Sequence, residues 1–309
     1  MTTRISNRTA LSVQSRILGR LHRVWMTLRR YPTVSVVVLT VMVITATVAP
    51  IAVPHDPIKQ DLRARNAPPM WFQTWYEEHP KVTKTYVLGA DFVGRDVLSR
   101  VMYGARISLL VATTAMFTTM VLGTIVGMLA GYYGGLLDEV ITRIVDVLLA
   151  LPFLLLALVV AVTIGQGLLI MIGLLTVAAW VGLVRNIRAQ VLSLKNMDYV
   201  ALARVAGASD YRIMLRHIFP GTTNIVIVLA TLRVGGLILA ESGLSYLGAG
   251  IPAHIPTWGL MISDGRDYLQ TAWWVSVFPG IGIFLTVMSM NFIGDWMRDR
   301  FDPRLRQLK

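Results

Sequence analysis

The sequence contains no cysteine, only five histidines and few charged residues, and each shortage narrows its possible functions. Without cysteine, the chain has no disulfides, thiolate metal sites or cysteine nucleophiles. The histidines are scattered and show no metal-ligand spacing. A phosphate-binding glycine loop with Lys-Ser/Thr, a nucleophile elbow and a His-Glu-x-x-His motif are all missing. We therefore expect no catalytic residues, no metal site and no cofactor bound by this chain, which cannot hydrolyse ATP itself.

Charged residues make up only 15% of the 309 positions, whereas 55% are hydrophobic, and the mean hydropathy is +0.61. A transmembrane helix needs roughly 20 mostly apolar residues. Apolar runs of suitable length lie at 33–53, 107–132, 141–164, 168–183, 225–247 and 274–293. The sequence thus predicts an all-α membrane protein with about six transmembrane helices.

Acidic residues are missing from the N-terminal tail, 1–32, which carries seven arginines. Basic residues also outnumber acidic ones in the loop before the fifth span and in the tail 298–309. A net charge of +12 in a soluble protein would suggest nucleic acid as a partner, but basic residues beside apolar spans follow the positive-inside rule. We expect both termini in the cytoplasm and no nucleic acid partner.

The apolar run 33–53 follows an arginine-rich start, so a signal peptide is an alternative to a first membrane anchor. The run is longer than a signal peptide requires, which favours the anchor.

An external segment is predicted at 54–104 and a core membrane domain at 105–297. Trp71, Phe72, Trp75 and Tyr76 in the external segment indicate either an aromatic belt at the lipid interface or a small hydrophobic core, and belts are commoner.

Five glycines lie in and after the second span, several of them at a spacing of four: Gly123, Gly127, Gly131, Gly134 and Gly135. Small residues at this spacing allow two helix backbones to approach closely. We interpret them as a helix-packing face.

The loop 196–221 is too polar to span a membrane, yet its apolar residues recur regularly. Two short helices are predicted, the first capped by Asn196 or Asp198 and ended by Gly207 in the left-handed conformation. The second helix begins at Ser209 and is predicted to stop near Pro220. Each has an apolar face, which from the residues alone favours anionic lipid and a groove on a soluble partner equally.

The same loop resembles the coupling-loop signature of ABC importer permeases, in which a Glu-Ala-Ala trio is followed by Gly and later by Pro. The relevant stretches read YVALARVAGAS at 199–209 and HIFP at 217–220. Gly207 and Pro220 keep the expected separation, but Ala201 stands in place of the Glu and Leu202 in place of the first Ala.

Other stretches resemble the C-type permease subunit of dipeptide and oligopeptide ABC importers, over residues 31–304. They are GRDVLSR at 94–100, YGARISL at 103–109, GYYGG at 131–135, ESGLSYLG at 241–248, WG at 258–259, NFIGDWMRD at 291–299 and DPR at 302–304. Gly243 stands where the family usually has Ala, and the external segment is longer than usual.

The resemblance implies the type I ABC importer permease fold and a role as half of a peptide translocation pathway. The implied partners are a B-type permease subunit forming a heterodimer, two ATPase subunits that use ATP and Mg²⁺, an extracytoplasmic binding protein that delivers the peptide, and the lipid of a bacterial inner membrane. The residues implied to couple to the ATPases are Asp198, Tyr199, Ala201, Leu202, Ala203, Arg204, Gly207, Ala208, Ser209, His217 and Pro220.

Two ionisable residues, Arg233 and Glu241, lie within the fifth predicted span, where a charge is costly unless it faces protein or water. Either they line or gate a polar pathway, or they anchor helices by hydrogen bonds, and for Glu241 the anchor is favoured. Trp258 and Met261 are further gate candidates, because the family resemblance implies that residues 249–273 dip into the pathway.

The open alternatives for the function of the protein are a nickel or other small-solute importer, an ion-coupled secondary transporter, an intramembrane enzyme and a structural scaffold.

Overall fold

A computed structural model describes residues 32–79, 82 and 85–301. The predicted basic tail 1–32, except for its last residue, and the end of the predicted tail 298–309 lie outside these residues. The helices are α1 (Thr33–Ala52), α2 (Gln73–Glu78), α3 (Val97–Tyr133), α4 (Gly135–Ala150), α5 (Phe153–Thr163), α6 (Leu168–Leu194), α7 (Asp198–Val205), α8 (Asp210–Ile213), α9 (Phe219–Tyr246), α10 (Trp258–Gly265) and α11 (Trp274–Phe301).

The predicted all-α membrane architecture is confirmed. Five stretches are long and apolar enough to cross a membrane: α1, α3, α6, α8 continued into α9, and α11. The pair α4 and α5 makes a sixth if it is counted as one bent span. Across the described ranges no β-strand is found, apart from one isolated bridge between Ala90 and Asp96.

The second span begins about ten residues earlier than the predicted start at 107. Its helix starts at Val97, because the Asp96 carboxylate accepts a hydrogen bond from the Ser99 backbone N–H at 2.9 Å and caps the first turn. The last residues of the predicted external segment 54–104 are therefore helical. The fourth span also extends past its predicted end at 183, to Leu194.

The third predicted span, 141–164, is wrong as a single straight helix. Helices α4 and α5 meet at an angle of 87°, with Leu151 and Pro152 between them. Proline disfavours the α conformation in the residue before it, and Leu151 accordingly adopts extended backbone angles. On α4, Asp138 pairs with Arg188 of α6, and Asp146 pairs with Arg185 at 2.6 Å.

The predicted glycine face packs α3 against α6. A Cβ atom placed on Gly123, Gly127 or Gly131 would lie 2.8–2.9 Å from Leu183, Ile187 or Val191, each of which is buried. Only glycine therefore lets the two backbones come this close without displacing side chains. The prediction is wrong for Gly134 and Gly135, because a Cβ atom on either would have nothing within 4 Å.

Gly127→Ala is expected to destabilise the protein by about 1–3 kcal/mol, because the added methyl group overpacks the contact with Ile187. Gly173→Ala in α6 is a matched control, since a Cβ atom there would have nothing within 4 Å. Thermal unfolding in detergent checks the difference. Equal melting temperatures of the two variants would show that the α3–α6 contact tolerates the larger residue.

The aromatic residues of the external segment divide between the two predicted roles. Trp75 packs against a small core that contains the buried Tyr86, whereas Trp71 and Phe72 are about half exposed. Burial, with the nearby carboxylates of Asp61 and Asp96, raises the pKa of Tyr86 to about 12, so its hydroxyl stays neutral at physiological pH. The belt interpretation thus fits only part of the cluster.

Candidate functional site

The loop 196–221 forms two short helices joined at Gly207, as predicted. Gly207 has φ of +81°, the left-handed conformation that ends α7. The predicted cap by Asn196 or Asp198 is wrong, because Met197 occupies the N-cap position and no side chain caps the helix. The Asn196 amide instead donates back to the Leu192 carbonyl oxygen at 3.0 Å, and Asp198 is the first helical residue.

The second helix does not stop near Pro220. From Ser209 at its N-cap, α8 passes into a π-helical turn, Met214–Ile218, and then directly into α9. Pro220 has no backbone N–H to donate, and it follows directly on the π turn, in which the Phe219 N–H donates to the Met214 carbonyl oxygen. This wider turn accommodates the proline inside the continuing helix. The second loop helix and the fifth span are therefore one continuous helical rod of 37 residues, Asp210–Tyr246.

Apolar side chains hold this element against the ends of α3 and α6. Val200, Ile213 and Ile218 are fully buried in one cluster with Ile187 and Val191. The Tyr132 hydroxyl donates to the Asp210 carboxylate at 2.6 Å. At the junction, the Lys195 ammonium donates to the Gly131 carbonyl oxygen at 2.9 Å. The loop is thus packed onto the helix bundle.

The opposite side of the element exposes a ridge of apolar residues, which we call the loop ridge. It comprises Leu202 (69% exposed), Val205 (87%), Tyr211 (70%) and Leu215 (47%). The cationic residues Arg204, Arg212 and Arg216 lie exposed beside it. Large exposed apolar residues flanked by charge are typical of a protein or membrane contact surface.

The other predicted coupling residues occupy different parts of the same element. Ala201 is exposed next to the loop ridge, whereas Ala203 and Ala208 pack partly into the cluster beneath it. The Tyr199 and His217 rings lie 6.5 Å apart between the two helices. The structure thus brings all of the predicted coupling residues together in one compact unit.

Glu241 is fully buried near the outer end of α9. Its carboxylate accepts hydrogen bonds from the Ser108 hydroxyl of α3 at 2.9 Å and from the Ser245 hydroxyl at 2.8 Å. These contacts agree with a helix anchor and leave the carboxylate no exposed surface.

Trp258 and Met261 of α10 are also buried, each with 1% exposure. The Trp258 indole N–H donates to the Val101 carbonyl oxygen at 3.0 Å, and its ring lies against Gly104 and Gly282. Both side chains lie in hydrophobic clusters in this structure, and their role in a gate stays a prediction.

A buried group of charges on the predicted external side was not singled out from the sequence. In this external charge cluster, Asp91 accepts from Arg95 at 2.6 Å and from Arg100 at 2.7 Å, and Asp264 accepts from the same arginines at 3.0 and 3.1 Å. Asp91 and Arg100 are 1% and 2% exposed. The cluster fastens α10 to the start of α3. In the sequence, only the family-like stretch at 94–100 pointed to this region, and it did not indicate which carboxylates pair with Arg95 and Arg100.

The fifth span also borders an apolar cavity of about 470 Å³ between α9, α10 and α11. Its lining includes Leu239, Gly243, Tyr246, Gly259, Phe284 and Met288. Leu239 and Gly236 lie on the exposed face of α9. Half-buried Arg233 lies one turn before Gly236 at the edge of this face.

Comparison with known proteins decides the family. Residues 123–307 match the family described as binding-protein-dependent transport system inner membrane component, and residues 19–69 match the N-terminal transmembrane domain of oligopeptide transport permease C. The dipeptide transport system permease protein DppC of Bacillus subtilis is 38% identical over 97% of this chain and 91% of its own length. The chain belongs to this permease family.

Other relatives of the permease include the di/tripeptide transport system permease protein DppC of Pseudomonas aeruginosa, 36% identical over 87% of this chain and 86% of its own length. The glutathione transport system permease protein GsiD of Pectobacterium atrosepticum is 39% identical over 71% and 73%. Among solved structures, an inward-facing MetNI methionine ABC transporter aligns with a TM-score of 0.51 at 20% identity, covering 69% of this permease and 96% of that chain. The fold is that of an ABC type I importer permease, as predicted.

Proposed function

We propose that this permease is the C-type subunit of an ATP-driven importer of short peptides. Its relatives described above are named for dipeptide, di/tripeptide and glutathione transport, all of which are short peptides. The proposed assembly comprises a B-type permease subunit, two ATPase subunits and an extracytoplasmic binding protein, in a bacterial inner membrane. The chain itself is a transport subunit that binds no cofactor. Its ATPase partners bind ATP with Mg²⁺ and hydrolyse it.

The observation that carries the coupling role is the combination of the loop ridge with the continuous rod behind it. The loop ridge offers apolar residues to a partner, while Val200, Ile213 and Ile218 fix the element to the bundle. Because α8, the π turn and α9 are uninterrupted, a displacement of the loop is carried directly into the fifth span. An ATPase surface is therefore the proposed occupant, and a lipid surface is the alternative.

Uptake measurements in proteoliposomes test the proposed function. The permease, reconstituted with its partner subunits and loaded binding protein, is expected to take up a radiolabelled dipeptide only when ATP is enclosed on the ATPase side. Collapsing ion gradients with ionophores is expected to leave the initial rate unchanged. Uptake of Ni²⁺ in place of peptide would identify a nickel importer, and uptake driven by an ion gradient without ATP would identify a secondary transporter.

A further inference from the structure

Arg233 is a cation at membrane depth for which the described residues provide no ion-pair partner. At a rise of about 1.5 Å per residue, it lies roughly 20 Å from either end of α9. Among the described residues, no carboxylate forms an ion pair with it. Charged groups at this depth normally pair with one another or face a water-filled cavity. Arg233 therefore needs an anion or water that the described chain does not supply.

The surroundings of Arg233 make room for its guanidinium group at the exposed edge of the bundle. A Cβ atom on Gly182 of α6 would lie 2.1 Å from Arg233 Nη2, so a larger residue there would displace the guanidinium from this position. One turn further along α6, the exposed Asn186 amide donates to the Gly182 carbonyl oxygen at 2.7 Å. The guanidinium thus lies over a bare stretch of helix backbone, and Arg233 keeps part of its surface exposed.

Three carboxylates on Arg233's own helix and on α4 are committed elsewhere. Glu241, on the same helix, lies about 12 Å further along and accepts hydrogen bonds from Ser108 and Ser245. Asp146 is paired with Arg185 at 2.6 Å, and Asp138 with Arg188. Those two pairs are neutral. On the other neighbouring helix, Asp295 of α11 is exposed, and no ion pair joins it to Arg233 in the described part of the chain.

The position of Arg233 connects it with the exposed face of α9. Arg233, Gly236, Leu239 and Gly243 follow one another at spacings of three or four, so they are neighbours along one side of the helix. Gly236 and Leu239 are exposed, and Leu239 and Gly243 line the apolar cavity towards the predicted external side. A molecule moving along this face from the external side would meet apolar surface first and a lone cation halfway through the membrane.

We propose that the Arg233 guanidinium binds the C-terminal carboxylate of a peptide in transit, an inference that rests on the proposed function. Side chains differ between peptides, whereas the free carboxylate end is common to all of them. Backbone carbonyl oxygens are also common to all peptides, but the carboxylate is the one shared group that carries a negative charge, so it forms the stronger, charge-assisted hydrogen bonds with arginine. Its planar donor fork matches a carboxylate in bidentate geometry.

The test compares two probes, alanyl-alanine and its C-terminal amide, in proteoliposomes that contain the complete transporter. Both are supplied at concentrations that saturate the binding protein, as checked by its intrinsic fluorescence, so that maximal uptake rates reflect the permease. With Arg233→Gln, uptake of the free acid is expected to fall roughly 10- to 100-fold, the usual range for loss of a charge-assisted hydrogen bond. Uptake of the amide by the variant is expected to stay within about twofold of the wild-type rate. This change is much smaller than the loss of rate expected when one charge-assisted hydrogen bond is removed.

Two further variants separate charge from folding. Arg233→Lys keeps the cation and is expected to retain most of the free-acid uptake. Arg143→Gln is a matched control, because Arg143 is exposed and paired only with Glu139 of its own helix at 3.4 Å. This variant is expected to transport both probes at the wild-type rate.

The outcomes distinguish the inference from the proposed function. If Arg233→Gln lowers uptake of both probes equally, its anion is a carboxylate of the partner permease or the residue is structural, and the inference is overturned. Unchanged uptake of the free acid would overturn it as well. If the wild-type transporter takes up neither probe while ATP is present, peptide import itself is wrong.

Discussion

Leu202→Glu is expected to abolish peptide uptake while leaving the fold of the permease intact. Leu202 is 69% exposed on the loop ridge, so a charged replacement costs the isolated chain little. At an interface with an ATPase subunit, the same carboxylate would lose its water without gaining a partner. A loss of about 2 kcal/mol or more of binding energy, roughly thirtyfold in affinity, is typical of a central interface residue. Substrate-stimulated ATP hydrolysis and the ATPase content of the purified complex are the measurements.

Ala201→Glu is the matched control for this experiment. It places the same charge one residue away, at the position where the resembled coupling-loop signature carries its glutamate. Ala201 is exposed, so the substitution fits without repacking, and we expect uptake to be retained or increased. Equal loss from both substitutions would show that any negative charge on α7 disrupts the loop. Retention of uptake and of the ATPase subunits by Leu202→Glu would instead favour contact of the loop ridge with lipid.

Asp91→Asn is expected to produce the largest loss of stability. Asp91 neutralises Arg100, whose side chain is 2% exposed, and also bonds Arg95. Removing one partner from a buried charge network leaves an uncompensated charge, at a cost of about 3–5 kcal/mol. For a chain of this length, the melting temperature in detergent should fall by roughly 5–15 °C.

Glu139→Gln removes a carboxylate from an exposed pair and serves as the control, with an expected change of at most about 1 kcal/mol. The double variant Asp91→Asn with Arg100→Met should recover much of the lost stability. It leaves Arg95 and Asp264 as a balanced pair at 3.0 Å. A double variant no more stable than Asp91→Asn would mean that packing around Asp91, and not charge balance, holds α10 to α3.

The spans and the coupling loop could be predicted because their signals are local. Apolar runs located the membrane helices, the spacing of Gly123, Gly127 and Gly131 indicated a helix-packing face on the second span, and Gly207 indicated the turn between the two loop helices. These features depend on the periodicity of apolar and small residues and on the conformational freedom of glycine. Both can be recognised in a single amino-acid sequence.

The errors in the sequence-based predictions arose where the structure depends on the surroundings of a residue and not on the residue type alone. Pro220 signals a helix end when it is read alone, but the π turn before it lets the rod continue. The external charge cluster joins residues 164 and 169 positions apart, and no spacing in the sequence could pair Arg95 and Arg100 with Asp264. Likewise, the sequence could not show that Arg233 forms no ion pair within the described part of the chain, because this depends on where Asp138, Asp146 and Glu241 lie in the fold.

The continuous rod from Asp210 to Tyr246 also limits how relatives of this protein can differ in length. One residue inserted between Phe219 and Arg233 would turn every later side chain by about 100° and lift it by about 1.5 Å. Arg233 would leave Gly182, and Glu241 would leave Ser108. The surface loops of the external segment can gain or lose residues without such a penalty. We therefore expect evolution to have varied the length of the external segment freely while allowing no insertion or deletion between the loop ridge and Glu241.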